Sequence, residues 1–264
     1  MMDVQAMRER LMGKAAELLE RYYELAERPF PIRMRLLASL AGIKVREKYM
    51  PDDRSGALVS AEDGLYAFVN IFDPPARQNF TIAHEIVHTF FPEYRQIEHR
   101  SARVDEDNEL EERLCDEVAS ELLMPTDPFR ALLAKQGEEL AALGELSDYF
   151  EASMEAVAMK MAMLGTGSAV ILNISDFGGR GKLRIHKVFP TASWKTYVPS
   201  SIALPPHTEL TASFYENRPI KQVLDVKLGP LEGVYTVETY PGKFKRNGKL
   251  YNSGYVRLSD PSPE

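Results

Sequence analysis

The stretch Thr81-Ile82-Ala83-His84-Glu85-Ile86-Val87-His88 constrains this chain more than any other. It contains H-E-x-x-H, two histidines four apart with a glutamate directly after the first. Helical positions four apart share a face, so His84 and His88 can aim two imidazoles at one metal ion. Glu85 is turned about 100° along the same helix, beside the ion but off its coordination positions, where a general base belongs. The apolar flanks Phe80, Ile82, Ala83, Ile86, Val87, Phe90 and Phe91 predict a buried helix, with Pro92 as its stop.

Two histidines leave a catalytic site one protein ligand short. His99 falls in the polar stretch Arg95–Asp107 and reads as a solvated loop residue. The stretch from Glu109 to Met124 is patterned: Leu114, Cys115, Val118, Ala119, Leu122 and Leu123 recur at helical spacing, and Pro125 ends the run. At about 100° per residue, Glu112 lies in line with Ala119 and Leu123, with Asp116 about 40° to its side. Both acids border the core-facing stripe, where a carboxylate needs a charge partner such as a metal. Glu111, Glu117 and Glu121 point elsewhere and read as solvated. Glu109 rivals Glu112 as ligand by angle, but it leaves Asp116 too far along the helix to assist. Glu112 is therefore the expected third ligand. Asp116 is expected to accept the free N–H of a ligating imidazole and fix its tautomer. Cys115 reads as a small core residue.

These motifs resemble the ImmA/IrrE metallopeptidases. That family runs F-T-x-A-H-E-x-x-H and then an acidic helix ending E-L-L-M-P. Here the first is Phe80 to His88 and the second is Glu121-Leu122-Leu123-Met124-Pro125. The family's third-ligand glutamate stands nine residues before the Glu of E-L-L-M-P, at the position of Glu112. Many members carry Asn where this chain has Asp116, which also resembles the wider gluzincin pattern. The likeness spans about residues 28 to 165, and it implies cytoplasmic, selective proteolysis of a transcriptional repressor.

Residues 3–27 predict one amphipathic helix ended by Pro29 and Pro31, 32–40 a second closed by Gly42, and Ile43-Lys44-Val45 the start of a strand. Arg54–Ser60 and Gly64–Phe72 predict two strands around the turn Ala61-Glu62-Asp63. The second leads into the histidine helix and is expected at a sheet edge. There an extended substrate could pair by β-augmentation, with Tyr66, Phe68 and Asn70 as its contacts. Asn70 also stands where family members commonly carry Asn. Phe129–Leu143 is expected to be helical, and Leu146–Leu164 has a helix-turn-helix cadence. Glu145, Asp148, Glu151 and Glu155 against one Lys160 exclude DNA reading by that segment. Met154, Met159, Met161 and Met163 read as core filler.

Beyond Gly165, strands are expected at Ala169–Ile174, Leu183–Phe189 and Gly233–Tyr240, with a hairpin around Asn247-Gly248. Radiation-response members of the family carry a GAF-like sensor there; this tail is short and shows no GAF motif. His186 and His207 read as structural, and Trp194 as core rather than as a pocket with Lys195, Tyr197 and Tyr215. The fold expected is α+β: a gluzincin-like peptidase domain over 1–128, a helix-turn-helix-like segment over 129–165, and a β-rich, sensory C-terminal domain over 166–264 that takes a small effector.

A single cysteine excludes a disulfide framework and suits a reducing, cytoplasmic setting. With no apolar run of about 18 residues, no membrane span is expected, and the charged start argues against a signal peptide. A net charge of −7 gives no general affinity for phosphate backbones, so the expected partners are proteins and not nucleic acid; the family resemblance implies that the protein substrate is a helix-turn-helix repressor. The expected chemistry is metal-assisted peptide hydrolysis: His84, His88 and Glu112 hold the ion and Glu85 carries the proton. Tyr66, Tyr94, His99 and nearby arginines are the candidates for stabilising the oxyanion. Zinc suits the ligands best, and manganese also fits. The alternative is a non-hydrolytic, metal-containing regulator that binds a repressor or an effector, against which an intact Glu85 argues.

Overall fold

The computed structural model describes residues 4–50, 55–91, 106–178, 181–246 and 248–261. The chain forms two compact units, Met1–Phe129 with Leu146–Ser153, and Arg130–Glu145 with Met154–Glu264. The architecture is mixed α+β.

In the first unit, α1 (Val4–Leu25) buries Leu11, Ala15, Leu18, Leu19 and Tyr22, the apolar stripe of one helix face. α2 (Met34–Leu40) ends at Gly42, whose φ of 79° reverses the chain into β1 (Ile43–Lys48). β2 (Gly56–Ala61) and β3 (Gly64–Asn70) form a hairpin, and β1 joins the far side of β3 in parallel, giving the order β1-β3-β2. β3 is thus the central strand, paired along both sides, and the expectation of a free edge there is corrected. A free β3 edge would expose its backbone polar groups beside β1, which pairs with it from Ile43↔Leu65 to Lys48↔Asn70. Among the described residues the strand with an open side next to the histidine helix is β2. That helix, α3 (Pro75–His88), starts with Pro at its first turn. It ends at His88, Thr89 capping it through its hydroxyl on Ile86 O, before Pro92, which lies outside the described residues. α4 (Glu106–Leu123) packs along α3.

α5 (Thr126–Gln136) and α6 (Ala142–Phe150) replace the single helix expected over 129–143, because Gly137, at φ 90°, breaks the run. The expected independent segment 129–165 is divided between the two units. Phe150 stacks on Phe129 at 5.3 Å and meets Phe30 edge-on at 5.5 Å, which ties Leu146–Ser153 to the first unit. α7 (Met154–Leu164) belongs to the second. Of its methionines only Met161 is buried; Met154, Met159 and Met163 are exposed, which corrects their reading as core filler.

The second unit is built on a five-stranded antiparallel sheet in the order β5-β4-β8-β7-β6: β4 (Ala169–Ser175), β5 (Arg184–Pro190), β6 (Lys221–Leu228), β7 (Leu231–Arg246) and β8 (Lys249–Ser259). β6 and the short α8 (Glu209–Tyr215), capped by Thr208, carried too little periodicity to be read from sequence. Val170, Leu172, Ile174, Trp194, Phe214, Val237, Val256 and Leu258 fill its core. Trp194 packs as expected, while Tyr197 and Tyr215 are exposed. His186 bonds the Ser175 hydroxyl at 2.8 Å, a structural role. Asn247, at the expected turn, lies outside the described residues. No helix among the described residues is long and apolar enough to cross a membrane.

Candidate metal centre

α3 presents its chemistry because its apolar residues fix its rotation. Ile82, Ala83, Ile86 and Val87 are at most 1% exposed, and burying them turns His84 and His88 toward α4. There His84 Nε2 stands 3.0 Å from His88 Nε2 and 3.1 Å from Glu112 Oε2. Glu112 Oε1 lies 3.6 Å from His88 Nε2. Donors around a tetrahedral ion at about 2.0–2.1 Å stand roughly 3.3 Å apart. The two imidazole nitrogens stand close to that separation from each other, and each faces one oxygen of the Glu112 carboxylate near it, so these three side chains could hold a divalent ion.

The other nitrogen of His84 faces Asp116 Oδ1 at 2.8 Å. A carboxylate in that position accepts a hydrogen bond from Nδ1–H, so that a neutral His84 ring has its lone pair on Nε2, facing His88 and Glu112. Burial disfavours an imidazolium here, but the bonds to Asp116 and Glu112 outweigh it and carry the His84 pKa to about 10 in the metal-free centre. The same contact with His84 holds the Glu112 carboxyl below its usual range. Glu112 and Asp116 keep side-chain exposures of 45% and 60%, so the centre opens to solvent on its α4 side.

Glu85 is enclosed, with 8% of its surface exposed, and burial pushes its carboxyl pKa upward. Gly56, at the start of β2, stands against it: a Cβ there would meet Thr81 Cγ2 at 2.2 Å and Glu85 Oε1 at 2.9 Å. The start of the open-edged strand therefore lies directly beside the glutamate.

Cys115 is fully buried, as expected of a small core residue, and it also borders the centre. His84, His88 and Cys115 each offer an atom that could hold a metal, all within 4.8 Å of one another. Yet the sulfur approaches His88 Nδ1, at 3.6 Å, the ring nitrogen turned away from His84 and Glu112. Burial, then the charges of Glu112 and Glu111, push its pKa upward, so in the metal-free centre it is a thiol. Glu111 Oε1 stands 3.5 Å from the same Nδ1 with its side chain 17% exposed, which corrects its reading as solvated. Glu121 also departs from that reading: it accepts from the backbone N–H and hydroxyl of Thr126 and caps α5. Glu117 is exposed and pairs with Arg8. Helical angles alone placed Glu111 off the stripe; the width of the groove between α3 and α4 decides otherwise.

The expected substrate contacts lie elsewhere. Tyr66 and Phe68 stack at 6.2 Å on the face of β3 opposite the buried Ala67 and Val69. The Tyr66 hydroxyl bonds Asp63 and receives the Lys44 ammonium, not the centre. Asn70 is buried, its amide donating to Met50 O and its oxygen accepting from Phe72 N. Tyr94 and His99 lie outside the described residues.

Residues 38–162 match the family described as IrrE N-terminal-like domain, a peptidase family. No curated protein matches the chain. Among solved structures, a Mycobacterium tuberculosis transcriptional regulator is similar in fold, with a TM-score of 0.59 at 15% identity over 98% of this chain and 82% of that one. With its H-E-x-x-H helix and acidic helix inside the matched span, residues 38–162 form a domain of the ImmA/IrrE metallopeptidase family.

Proposed function

We propose that this protein is a metal-dependent endopeptidase that cuts a specific cytoplasmic protein, a helix-turn-helix transcriptional repressor, to switch on a stress or mobile-element response. One observation carries the chemistry: His84 Nε2, His88 Nε2 and Glu112 converge within 3.0–3.6 Å while Glu85 sits enclosed next to them. When bound, a divalent ion supplies Lewis acidity, activating a water and polarising the scissile carbonyl. Zinc matches the two imidazoles and one carboxylate best, with manganese the other fit.

His84 and His88 hold the ion through Nε2 and Glu112 through its carboxylate, and Asp116 keeps His84 in the tautomer that allows this. Glu85, its basicity raised by burial, takes the proton of the attacking water and delivers it to the leaving amine nitrogen. The open side of β2 receives the extended substrate in place of β3, since its first residue, Gly56, abuts Glu85. The second unit is the place for a small effector that regulates cutting. Family membership supports the repressor as substrate class.

A second ligand set, His84, His88 and Cys115, would require His88 to use its other nitrogen. Cys115→Ala separates the two: metal affinity survives it if Glu112 is the ligand and collapses if the sulfur is. The test of function is incubation with candidate helix-turn-helix repressors, first any that is encoded beside this protein, with zinc or manganese, followed by intact mass. A discrete cut that requires metal and disappears in Glu85→Gln supports the peptidase. Stoichiometric metal binding by the wild type with no cut in any candidate repressor favours the non-hydrolytic regulator.

A further inference from the structure

β7 and β8 outrun their neighbours. β6 accompanies β7 only to Glu238, and β4 accompanies β8 only to Ser253. From Lys243↔Asn252 to Arg246↔Lys249 the two strands pair with each other alone. A bare two-stranded ribbon is marginal in water, and this one is braced by rings. Phe244 and Tyr251, directly opposed, stack at 5.4 Å, and Phe177 meets them edge-on at 6.0 and 5.2 Å. The Arg246 guanidinium lies 4.7 Å from the Phe177 ring centre and Lys249 Nζ 5.3 Å from that of Tyr251. Strand alternation puts Lys243 and Lys245 on the opposite face.

Both faces of the ribbon are therefore positive, in a chain of net charge −7. No acid occurs between Glu238 and Asp260. Among the described residues, Arg257 is the only cation of that stretch in an ion pair, with Glu238. Asp176, the carboxylate at the ribbon's base, is engaged by Asn252 through its backbone and side-chain N–H groups. Four like charges held together without counter-charges repel one another, and a polyanion relieves that repulsion.

We propose that this hairpin is a contact surface for double-stranded nucleic acid, with Lys243, Lys245, Arg246 and Lys249 seated along the phosphates. Four cross-strand pairs at about 3.4 Å each make a ribbon about 14 Å long. Duplex DNA carries a charge every ~1.7 Å of its axis, enough phosphates for all four cations, and its major groove, about 12 Å wide, admits a two-stranded ribbon. Single strands fit less well, because they are held by stacking on free ring faces and these rings are spent on each other and on the two cations. An anionic membrane fits less well too, since Leu250 is the one exposed large apolar side chain of the ribbon. Contacts to phosphate carry no sequence information, so the binding is unspecific. The rest of the chain repels the duplex, and the contact is local and salt-sensitive. This inference uses none of the peptidase chemistry and is tested without metal.

The experiment is fluorescence anisotropy of the full chain with labelled random-sequence duplex DNA over a series of salt concentrations. Four phosphate contacts give log K against log[salt] a slope of about −3.6. The variant Lys243→Gln/Lys245→Gln leaves the ring face intact and should halve that slope; adding Arg246→Gln and Lys249→Gln should abolish binding. Circular dichroism checks that the sheet survives. Absence of duplex binding by the wild type at low salt, an unchanged slope in a folded double variant, or binding of anionic-lipid vesicles but not of duplex would each overturn the proposal.

Discussion

For the proposed chemistry Glu85 has to serve as a base while it is buried, and its position next to two imidazoles reconciles the demands. Burial raises its pKa and the neighbouring histidines oppose that rise. Glu85→Gln keeps the shape and removes the proton acceptor, so turnover should fall by about 10²–10⁴. Metal stoichiometry, read by native mass spectrometry, should stay unchanged. His84 gives a second prediction, with a definite sign. Its folded, metal-free pKa of about 10 lies above the ordinary 6.5, so folding favours the protonated ring. The stability this contributes is full below about 6.5 and is lost as pH rises through about 10. An incoming ion must expel that proton. Metal binding at neutral pH should therefore release one proton from His84, and affinity should climb about tenfold per pH unit until pH 10. Calorimetry in two buffers of unequal ionisation enthalpy measures the release; none at all would mean that His84 starts neutral. Asp116→Asn should weaken metal binding about 10–100-fold while leaving the fold intact. The histidine pair and Glu112 were legible because helical spacing fixes which side chains share a face. The closeness of Glu111 and Cys115 to His88 was not, since it depends on how closely α3 and α4 approach.

Among the elements, the edge strand beside α3 is β2, the strand on which the proposed substrate pairing rests. Sequence located the hairpin of β2 and β3 well, because alternation and the Glu62-Asp63 turn are local signals. It misassigned the edge, because parallel pairing with β1 joins residues some twenty positions apart and leaves no local trace. Gly56 is where this arrangement meets the chemistry. With only a hydrogen at that position, β2 can lie against Thr81 and Glu85. Gly56→Ala forces a carbon to within 2.2 Å of Thr81 Cγ2, so strand and helix must part. Overpacking of this kind costs about 1–3 kcal/mol. The melting temperature should drop and Glu85 should lose its placement. A wild-type melting temperature together with wild-type cleavage in Gly56→Ala would show that the close approach is not needed.

At the scale of the whole molecule, chain order and compact units part company, and the reason is visible in single contacts. Phe150 draws Leu146–Ser153 into the first unit, while Arg130–Glu145 belongs with the distant sheet of the second. Glu238 on β7 makes the latter attachment. Its Oε1 takes the Arg257 guanidinium of β8 at 2.8 Å and its Oε2 the backbone N–H of Leu140 at 3.0 Å, in a site where Glu238 is 5% exposed. No pattern near Glu238 in the sequence announces a partner at Leu140, which is why the division was not legible. The pair makes a prediction that separates its two tasks. Glu238→Gln leaves a buried guanidinium without its counter-charge, which costs about 3–5 kcal/mol. Replacing both members by apolar residues, Glu238→Leu with Arg257→Met, removes the buried charges together and should recover most of that loss. The Leu140 N–H, however, remains without an acceptor, a residual cost of about 1–3 kcal/mol. Urea unfolding should accordingly rank wild type above the double variant and the double variant above Glu238→Gln. If the double variant matched wild type, the bond to Leu140 would contribute nothing to holding the Arg130–Glu145 segment on the sheet.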